Sequence, residues 1–197
     1  MIEAIIFDFG GVICKSVFVS TAELLENRIN IPKKGIEKAM RDNKKEYALG
    51  KQSGKDNWKS VSKALAADLD SAECAEILRT FKWVNTDLLK IVGTLGKKYK
   101  IFLLSDNFKE RSEAIKKKFG EYFDRMYFSN EMGILKPHKK AFEIVLKENK
   151  LKPEECIFID DKENIVEGAK ACGLHAIQYK NLGQLKFDLK ALGINTI

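Results

Sequence analysis

The sequence predicts an α/β protein: a doubly wound parallel β-sheet with a small helical unit inserted after its first strand. Short apolar runs without polar alternation are typical of strands that are buried on both faces of a sheet. Helical patterns separate the last four of these runs, and such alternation implies parallel strands joined by right-handed crossovers. The predicted strands are Ala4–Phe9, Ile101–Leu104, Met126–Phe128, Cys156–Ile159 and Ala176–Ile177.

The helices that join these strands are predicted from apolar residues at helical spacing. Gly120 and Gly173 stand where two of the patterns stop, as glycines do at helix ends. A helix over Asp87–Lys98 is expected to lead into the second strand. The helices between the later strands are predicted at Lys109–Phe119, Lys139–Asn149 and Glu163–Cys172.

A long helical segment after the first strand interrupts this alternation of strands and helices. From about residue 15 to residue 82 the pattern is helical throughout, which is far longer than an ordinary crossover. We therefore expect a Rossmann-like core of residues 1–14 and 83–197 and a helical cap of residues 15–82. The loop Gly50–Gly54 is the expected contact with the core cleft, because two glycines allow close backbone approach. The cap helices are predicted at Thr21–Asn27, Gly35–Leu49, Asp56–Ala67 and Ser71–Phe81.

Composition is typical of a soluble globular protein, and the cytoplasm is its expected location. Of the 197 residues, 45% are hydrophobic and 32% are charged. No apolar run approaches the ~20 residues that a membrane span requires. Asp8 breaks the apolar N-terminus, which also lacks the basic region of a secretory signal. The four cysteines form no Cys-x-x-Cys pair, so free thiols in a reducing compartment are expected.

The formal net charge of +7 favours anionic ligands. Most lysines follow the pattern of solvated helix faces, and no interleaved basic and aromatic module is present. We therefore expect a small anionic substrate and neither a nucleic-acid nor a membrane partner. The protein is expected to be a monomer or a small homo-oligomer.

Polar side chains follow three of the predicted strands. Asp8 ends the first strand, Ser105-Asp106-Asn107 the second, and Asp160-Asp161 the fourth. Ligands of open parallel sheets bind outside the carboxyl ends of the strands, so these groups are expected to converge. Carboxylates together with hydroxyl donors suggest a magnesium site that also accepts phosphate oxygens.

Lys136 belongs to the same predicted edge, in the loop Gly133–Pro137 ahead of a helix. A lysine in this loop is positioned to neutralise phosphate charge while Ser105 donates a hydrogen bond. A solvated role is the alternative for such a lysine.

These residues, in this order, resemble the haloacid dehalogenase superfamily of hydrolases. The similarity covers the whole chain and rests on Asp8-Phe9-Gly10-Gly11-Val12, Ser105, Lys136-Pro137 and Asp160-Asp161. The inserted helices are similar to the family's small cap. The chain most resembles the branch with the N-terminal phosphatase domain of soluble epoxide hydrolases and bacterial sugar-phosphate phosphatases. The resemblance implies a Mg²⁺-dependent phosphatase that removes phosphate from a small phosphorylated metabolite through an aspartyl-phosphate.

The same resemblance implies a role for each matching residue. Asp8 is expected to be the nucleophile and a magnesium ligand, together with Asp161 and the backbone carbonyl of Gly10. Ser105 and Lys136 are expected to hold the phosphoryl oxygens. The remaining two residues are Asp160, expected to orient Lys136 or a metal-bound water, and Asn107, expected to offer its backbone amide to phosphate.

Gly10 departs from the family pattern. The phosphatases usually carry an aspartate at this position, which acts as general acid and then as general base. Its absence leaves two alternatives open: a metal-free 2-haloacid dehalogenase, or an impaired relative that binds a ligand or a partner. The pair Asp160-Asp161 favours phosphate chemistry, because the dehalogenases lack it. His138 is a candidate replacement acid, although it is more simply a solvated residue at the start of a helix.

The remaining aromatic residues and His175 are interpreted as structural. His175 introduces the fifth strand. Four aromatic residues at helical spacing are expected in the core, namely Trp58, Trp83, Phe119 and Phe142.

Overall fold

Five parallel strands form one sheet in the order β3-β2-β1-β4-β5. The computed structural model describes residues 1–196. All five predicted strands are confirmed, and so is the α/β fold class. The strands are β1 (Ala4–Phe7), β2 (Lys100–Ser105), β3 (Arg125–Phe128), β4 (Cys156–Asp160) and β5 (His175–Gln178).

The central strand β1 sets the level of the sheet's carboxyl edge. Its four residues are fully buried, as expected for an apolar strand covered on both faces. Phe7 is in register with Leu103 of β2 and Ile159 of β4. Asp8 therefore leaves the sheet between the ends of β2 and β4, and its backbone N–H donates to the carbonyl of Ile159 at 2.8 Å.

Helices cover both faces of the sheet, because alternate side chains of β1 point to opposite sides. Ile5 and Phe7 join one hydrophobic cluster with α6, α7 and α11 at Thr86–Leu95, Lys109–Phe119 and Leu182–Ala191. Ala4 and Ile6 join another with α9 and α10 at Lys139–Asn149 and Glu163–Ala171. A short helix, α8 (Ser129–Met132), follows β3. The predicted bounds of α7 and α9 are confirmed, whereas α11 was not predicted.

The segment between β1 and α6 contains five helices with a hydrophobic cluster of their own. Trp58, Met40 and Leu25 are buried in this cluster. Ser53 and Asp70 accept backbone N–H groups at the starts of two of the helices, which satisfies donors that a helix end leaves free. The division at residues 15 and 82 stays a prediction. The helices are α1 (Val17–Ile29), α2 (Lys33–Asn43), α3 (Lys45–Ala48), α4 (Gly54–Leu65) and α5 (Ser71–Leu78).

The two connections between this helical segment and the sheet run side by side. Cys14 forms an antiparallel bridge with Val84, and the N–H of Asn85 donates to the carbonyl of Ile13 at 2.9 Å. Chain entry and chain exit are thus hydrogen-bonded to each other. This arrangement fixes the base of the helical segment next to the end of β1.

Arg111 of α7 joins the same region. Its guanidinium donates to the carbonyls of Leu78 and Thr80, and one nitrogen lies 3.5 Å from Cys14 Sγ. Arg111 is 1% exposed, and among residues 1–196 no carboxylate lies within 4.0 Å of it. Burial without an anionic partner lowers the pKa of this guanidinium. Arg111 was not predicted to have a role, because its partners are backbone groups that only the fold brings near.

Two expectations about this region need correction. Trp83 is 75% exposed, so its assignment to the core was wrong, whereas Trp58, Phe119 and Phe142 are buried. Trp83 lies beyond α5 with a φ of 55°, a left-handed conformation that interrupts helical spacing. The loop Gly50–Gly54 contacts the core at Asn130 of α8 and does not line the cleft.

No helix among residues 1–196 combines the length and the hydropathy needed to cross a bilayer.

The contact between the loop Gly50–Gly54 and Asn130 constrains the sequence most at Gly50. Its φ is +71°, and an added Cβ would collide with the carbonyl oxygen of Asn130. We expect Gly50→Ala to lower the free energy of unfolding by about 1–3 kcal/mol, because both the strain and the collision act in the folded state. Urea unfolding followed by circular dichroism measures this change.

Gly93→Ala is the matched control. Gly93 lies within α6, and nothing stands within 4 Å of the position of its Cβ. Alanine is the better helix former there, so stability should rise by up to about 1 kcal/mol. A Gly50→Ala protein as stable as this control would contradict the packing described for the loop.

Candidate active site

The loop after β1 begins the site. Asp8 is 4% exposed, and the N–H of Gly11 donates to the carbonyl of Cys14 at 2.7 Å, which turns the chain sharply. Gly11 has a φ of +94°, and a Cβ on it would collide with the carboxylate of Asp161. A side chain at Gly11 would therefore displace Asp161, so glycine is required for both reasons.

Lys136 lies between two carboxylates. Its Nζ is 2.8 Å from Asp8 Oδ1 and 2.6 Å from Asp160 Oδ2, and all three side chains are buried. Burial opposes the charge of the ammonium, but the negative charges of Asp8 and Asp160 outweigh burial and raise the pKa of Lys136. Lys136 is thus held in its charged form beside Asp8.

Backbone hydrogen bonds fix the loops that carry these groups. The N–H of Lys136 donates to Asp106 Oδ1 at 3.1 Å, and the N–H of Lys162 donates to Asp160 Oδ1 at 2.9 Å. Burial raises the pKa of Asp106. The Asp106 acceptor therefore joins the end of β2 to the loop that carries Lys136, and the Asp160 acceptor holds the turn that follows β4.

Ser105 and Asn107 lie at the end of β2, beside this group. Asn107 Nδ2 donates to Ser105 Oγ at 3.0 Å, and the N–H of Asn107 donates to Ser129 Oγ at 3.0 Å. Ser129 Oγ in turn donates to the carbonyl of Ala48 at 2.7 Å, which connects the site to the helical segment. The phosphate-binding role of the Asn107 amide stays a prediction, and its partner in this structure is Ser129.

Three carboxylates meet at the carboxyl edge in an arrangement that suits a cation. Asp8, Asp160 and Asp161 each offer one oxygen, and these oxygens lie within 4.8 Å of one another. Asp161 Oδ1 is buried without a hydrogen-bond partner among residues 1–196. Burial raises the pKa of Asp161 to about 6. A divalent cation would satisfy this oxygen and offset the repulsion, so the residues present fit Mg²⁺.

A cleft opens above these residues, with an empty volume of about 420 Å³ that includes its solvent-open part. The predicted site residues Asp8, Gly10, Ser105, Asn107 and Lys136 all line it. The helical segment contributes the residues at the start of α1. The full lining is Asp8, Phe9, Gly10, Lys15, Ser16, Val17, Phe18, Ser105, Asp106, Asn107, Arg111, Lys136 and Lys162.

The two histidines do not line this cleft. His138 is exposed, and its Nδ1 accepts the N–H of Lys140 at the start of α9. His175 opens β5 at the amino edge of the sheet, opposite the site. The structure therefore does not place His138 where a replacement for the acid missing at Gly10 would act.

Lys162 and Asp106 are two residues of this cleft for which no individual role was predicted. The available signal was their position, since Asp106 belongs to the cluster Ser105-Asp106-Asn107 and Lys162 directly follows Asp160-Asp161. Their importance comes from the sheet, because it brings the ends of β2 and β4 to the two sides of Asp8.

The fold and this convergence of Asp8, Lys136 and paired carboxylates define a class of hydrolases. Residues 2–173 match the family model of the haloacid dehalogenase-like hydrolases. The chain belongs to this family, and the resemblance noted from its motifs is confirmed.

Two kinds of chemistry occur among similar proteins. The D-ribitol-5-phosphate phosphatase of Bacteroides thetaiotaomicron is 27% identical over 209 residues, covering 98% of each chain. A family enzyme of the same organism, solved with magnesium and inorganic phosphate, has a TM-score of 0.75 at 19% identity, covering 94% of this chain and 99% of that one. The L-2-haloacid dehalogenase of Xanthobacter autotrophicus has a TM-score of 0.74 at 19% identity, covering 100% and 85%. These structural likenesses show the fold.

The raised pKa of Asp161 predicts how Mg²⁺ affinity depends on pH. The carboxyl group must lose its proton before it binds a cation, and its pKa is about 6. Below that value the proton competes with the metal. Titration calorimetry of the resting protein should therefore show Mg²⁺ binding about tenfold weaker at pH ~5 than at pH ~7.

Asp161→Asn is the control for this dependence. The amide cannot titrate, so binding should be weak at every pH and vary less between the two conditions. Equal Mg²⁺ affinity of the unmodified protein at both pH values would show that Asp161 is not a ligand.

Proposed function

We propose that this protein is a Mg²⁺-dependent phosphatase that hydrolyses a small phosphorylated metabolite through an aspartyl-phosphate on Asp8. The observation that carries the proposal is the buried arrangement of Asp8, Lys136 and Asp160 beside the unpartnered oxygen of Asp161. A site for a metal-free dehalogenation has no need of the second and third carboxylates. The phosphatase relative that matches over 98% of the chain supports the same choice, and makes sugar phosphates the first substrate class to test.

Asp8 is the group that would attack phosphorus. Its carboxylate approaches a phosphate dianion only if the negative charges of both are offset. Lys136 supplies one positive charge at 2.8 Å, and Ser105 at the adjacent strand end would donate to a phosphoryl oxygen. Asp8 and Asp161, with the carbonyl of Gly10, would hold Mg²⁺, which supplies further charge neutralisation and orientation when bound.

Water must then cleave the aspartyl-phosphate. Burial of Asp8 and Lys136 limits water to the cleft side of the site, so hydrolysis requires a water that enters from there. Asp160 would keep Lys136 in place during this step, since it remains paired with the ammonium after Asp8 has become esterified. The phosphoryl group leaves as inorganic phosphate.

Asp8→Asn tests the nucleophile. The amide keeps the shape of the side chain but loses the attacking charge and a metal ligand, so kcat should fall by ~10³ or more. Phosphate release from p-nitrophenyl phosphate with Mg²⁺ measures the loss. Chelation of the metal by EDTA should abolish turnover of the unmodified protein, and added Mg²⁺ should restore it.

Asp68→Asn is the matched control, because Asp68 is exposed and lies outside the cleft. It should keep the unmodified rate. Retention of more than a tenth of the rate by Asp8→Asn would rule out this nucleophile. Full activity in EDTA together with halide release from 2-chloropropionate would replace the phosphatase with a dehalogenase.

Gly10 determines which leaving groups are favoured. Position 10 is a glycine and offers no carboxylic acid, so a leaving alkoxide lacks the proton donor that the family usually places there. Leaving groups that are stable as anions lose least from this absence. We therefore propose a preference for aryl, acyl or anomeric phosphates over simple alkyl esters.

Gly10→Asp should help poor leaving groups selectively. The nearest heavy atom to a Cβ at this position is Ser16 Cα, at 3.9 Å, so the added side chain has room. The barrier should fall by ~1–3 kcal/mol for alkyl phosphates, less than a fully tuned acid provides. The measurement is log(kcat/KM) against the pKa of the leaving group.

Gly93→Ala serves again as the control, since it lies on α6 outside the cleft. Its plot should match that of the unmodified protein. A flat plot for the unmodified protein that Gly10→Asp leaves unchanged would mean that another group already supplies the proton.

A further inference from the structure

The cap side of the cleft carries cationic side chains that the proposed chemistry does not use. Phe18 and Lys162 line the cleft together. The Nζ of Lys44 lies 5.4 Å from the centroid of the Phe18 ring, and the guanidinium carbon of Arg41 lies 4.5 Å from it. Two cations therefore lie over an aromatic ring of the cleft wall, and a third, Lys162 from the loop after β4, lines the cleft itself. We name Arg41, Lys44 and Lys162 the rim cluster.

Carboxylates balance only part of this charge. Arg41 is 3.5 Å from Glu37, whereas among residues 1–196 no carboxylate lies within 4.0 Å of Lys44 or Lys162. Two acids lie within electrostatic range of these lysines: Asp106 of the cleft wall, which acts on both Lys44 and Lys162, and Asp161, which acts on Lys162. Asp161 is already assigned to the proposed magnesium site, so Asp106 alone is left opposite the two ammonium groups, and a positive excess remains at this side of the cleft.

The positive charges of the rim cluster repel one another when no ligand is bound. Burial lowers the pKa of Lys44, the charges of Lys162 and Arg41 lower it further, and Asp106 opposes them. An aromatic ring beneath the cations also shields part of their surface from water. An anion placed between the lysines would remove the repulsion and gain charge-assisted hydrogen bonds.

We propose that the rim cluster binds a second anionic group of the substrate, a carboxylate or a second phosphate, at the end remote from the ester. This inference rests on the proposed function and narrows its substrate class. The substrate is then a phosphorylated sugar acid or a bisphosphate, in preference to the phosphate of a neutral sugar or polyol. Lys136 and Ser105 hold the phosphate that is cleaved, and Lys44 and Lys162 hold the other anion.

Matched pairs of substrates test this proposal. The pairs are 3-phosphoglycerate with glycerol 3-phosphate, 6-phosphogluconate with glucose 6-phosphate, and fructose 1,6-bisphosphate with fructose 6-phosphate. The doubly anionic member should have a kcat/KM about tenfold higher or more in at least one pair, and the preference should shrink in about 0.5 M NaCl. Calorimetric binding of the same pairs to the Asp8→Asn protein measures the preference without turnover.

Lys44→Met and Lys162→Met assign the preference to the rim cluster. Each should reduce the ratio within the favoured pair by about threefold or more, because one positive charge is lost. The backbone N–H of Lys162, which donates to Asp160, stays in place. Lys63→Met is the matched control, since Lys63 is exposed on α4 outside the cleft and carries the same charge. It should leave the ratio unchanged, and thermal unfolding verifies that all three variants fold.

The possible outcomes separate the two proposals. Hydrolysis of both members of every pair at equal rates would overturn the second-anion proposal and leave the phosphatase standing. A preference that survives both lysine substitutions would overturn the assignment to the rim cluster. No phosphate release from any ester, p-nitrophenyl phosphate included, would overturn the proposed function itself.

Discussion

The site depends on one interaction, the pairing of the Lys136 ammonium with the carboxylates of Asp8 and Asp160. Asp8, Asp160 and Asp161 would repel one another at this separation, and the lysine between two of them makes their convergence tolerable. Removing one partner of a buried pair typically costs about 3–5 kcal/mol, since the remaining charge stays buried and unpaired. Three carboxylates against one lysine still leave two negative charges, which is what a divalent cation neutralises.

The sheet determines where this pairing forms. Phe7 is level with Leu103 and Ile159, so the chain segments that follow β2 and β4 emerge on either side of Asp8. Lys136 comes from the next loop along the edge, and its N–H is held by Asp106. Hydrophobic burial of the strands thereby positions polar groups that have no local reason to meet.

Most of the core was predictable from the sequence, because strands buried on both faces and helices with glycine stops leave strong local patterns. The strand ends also predicted that Asp8, Ser105 and Asp160-Asp161 would converge. Contacts between distant segments were not predictable: Arg111 binds backbone carbonyls of the helical segment, which leave no mark in the sequence. Trp83 was wrongly assigned to the core for a related reason. The helical spacing of residues in the sequence extends to Trp83, although the backbone adopts a left-handed conformation there and the helix has already ended.

The adjacent entry and exit of the helical segment, at Cys14 and Val84, have an evolutionary consequence. A segment whose two ends already touch adds little loop-closure entropy when its length changes, because that entropy grows only slowly with the number of residues. Insertions and replacements between these two positions leave β1 and β2 in register. Evolution can therefore replace the whole helical segment, and with it the substrate, while the residues at the carboxyl edge of the sheet stay in place.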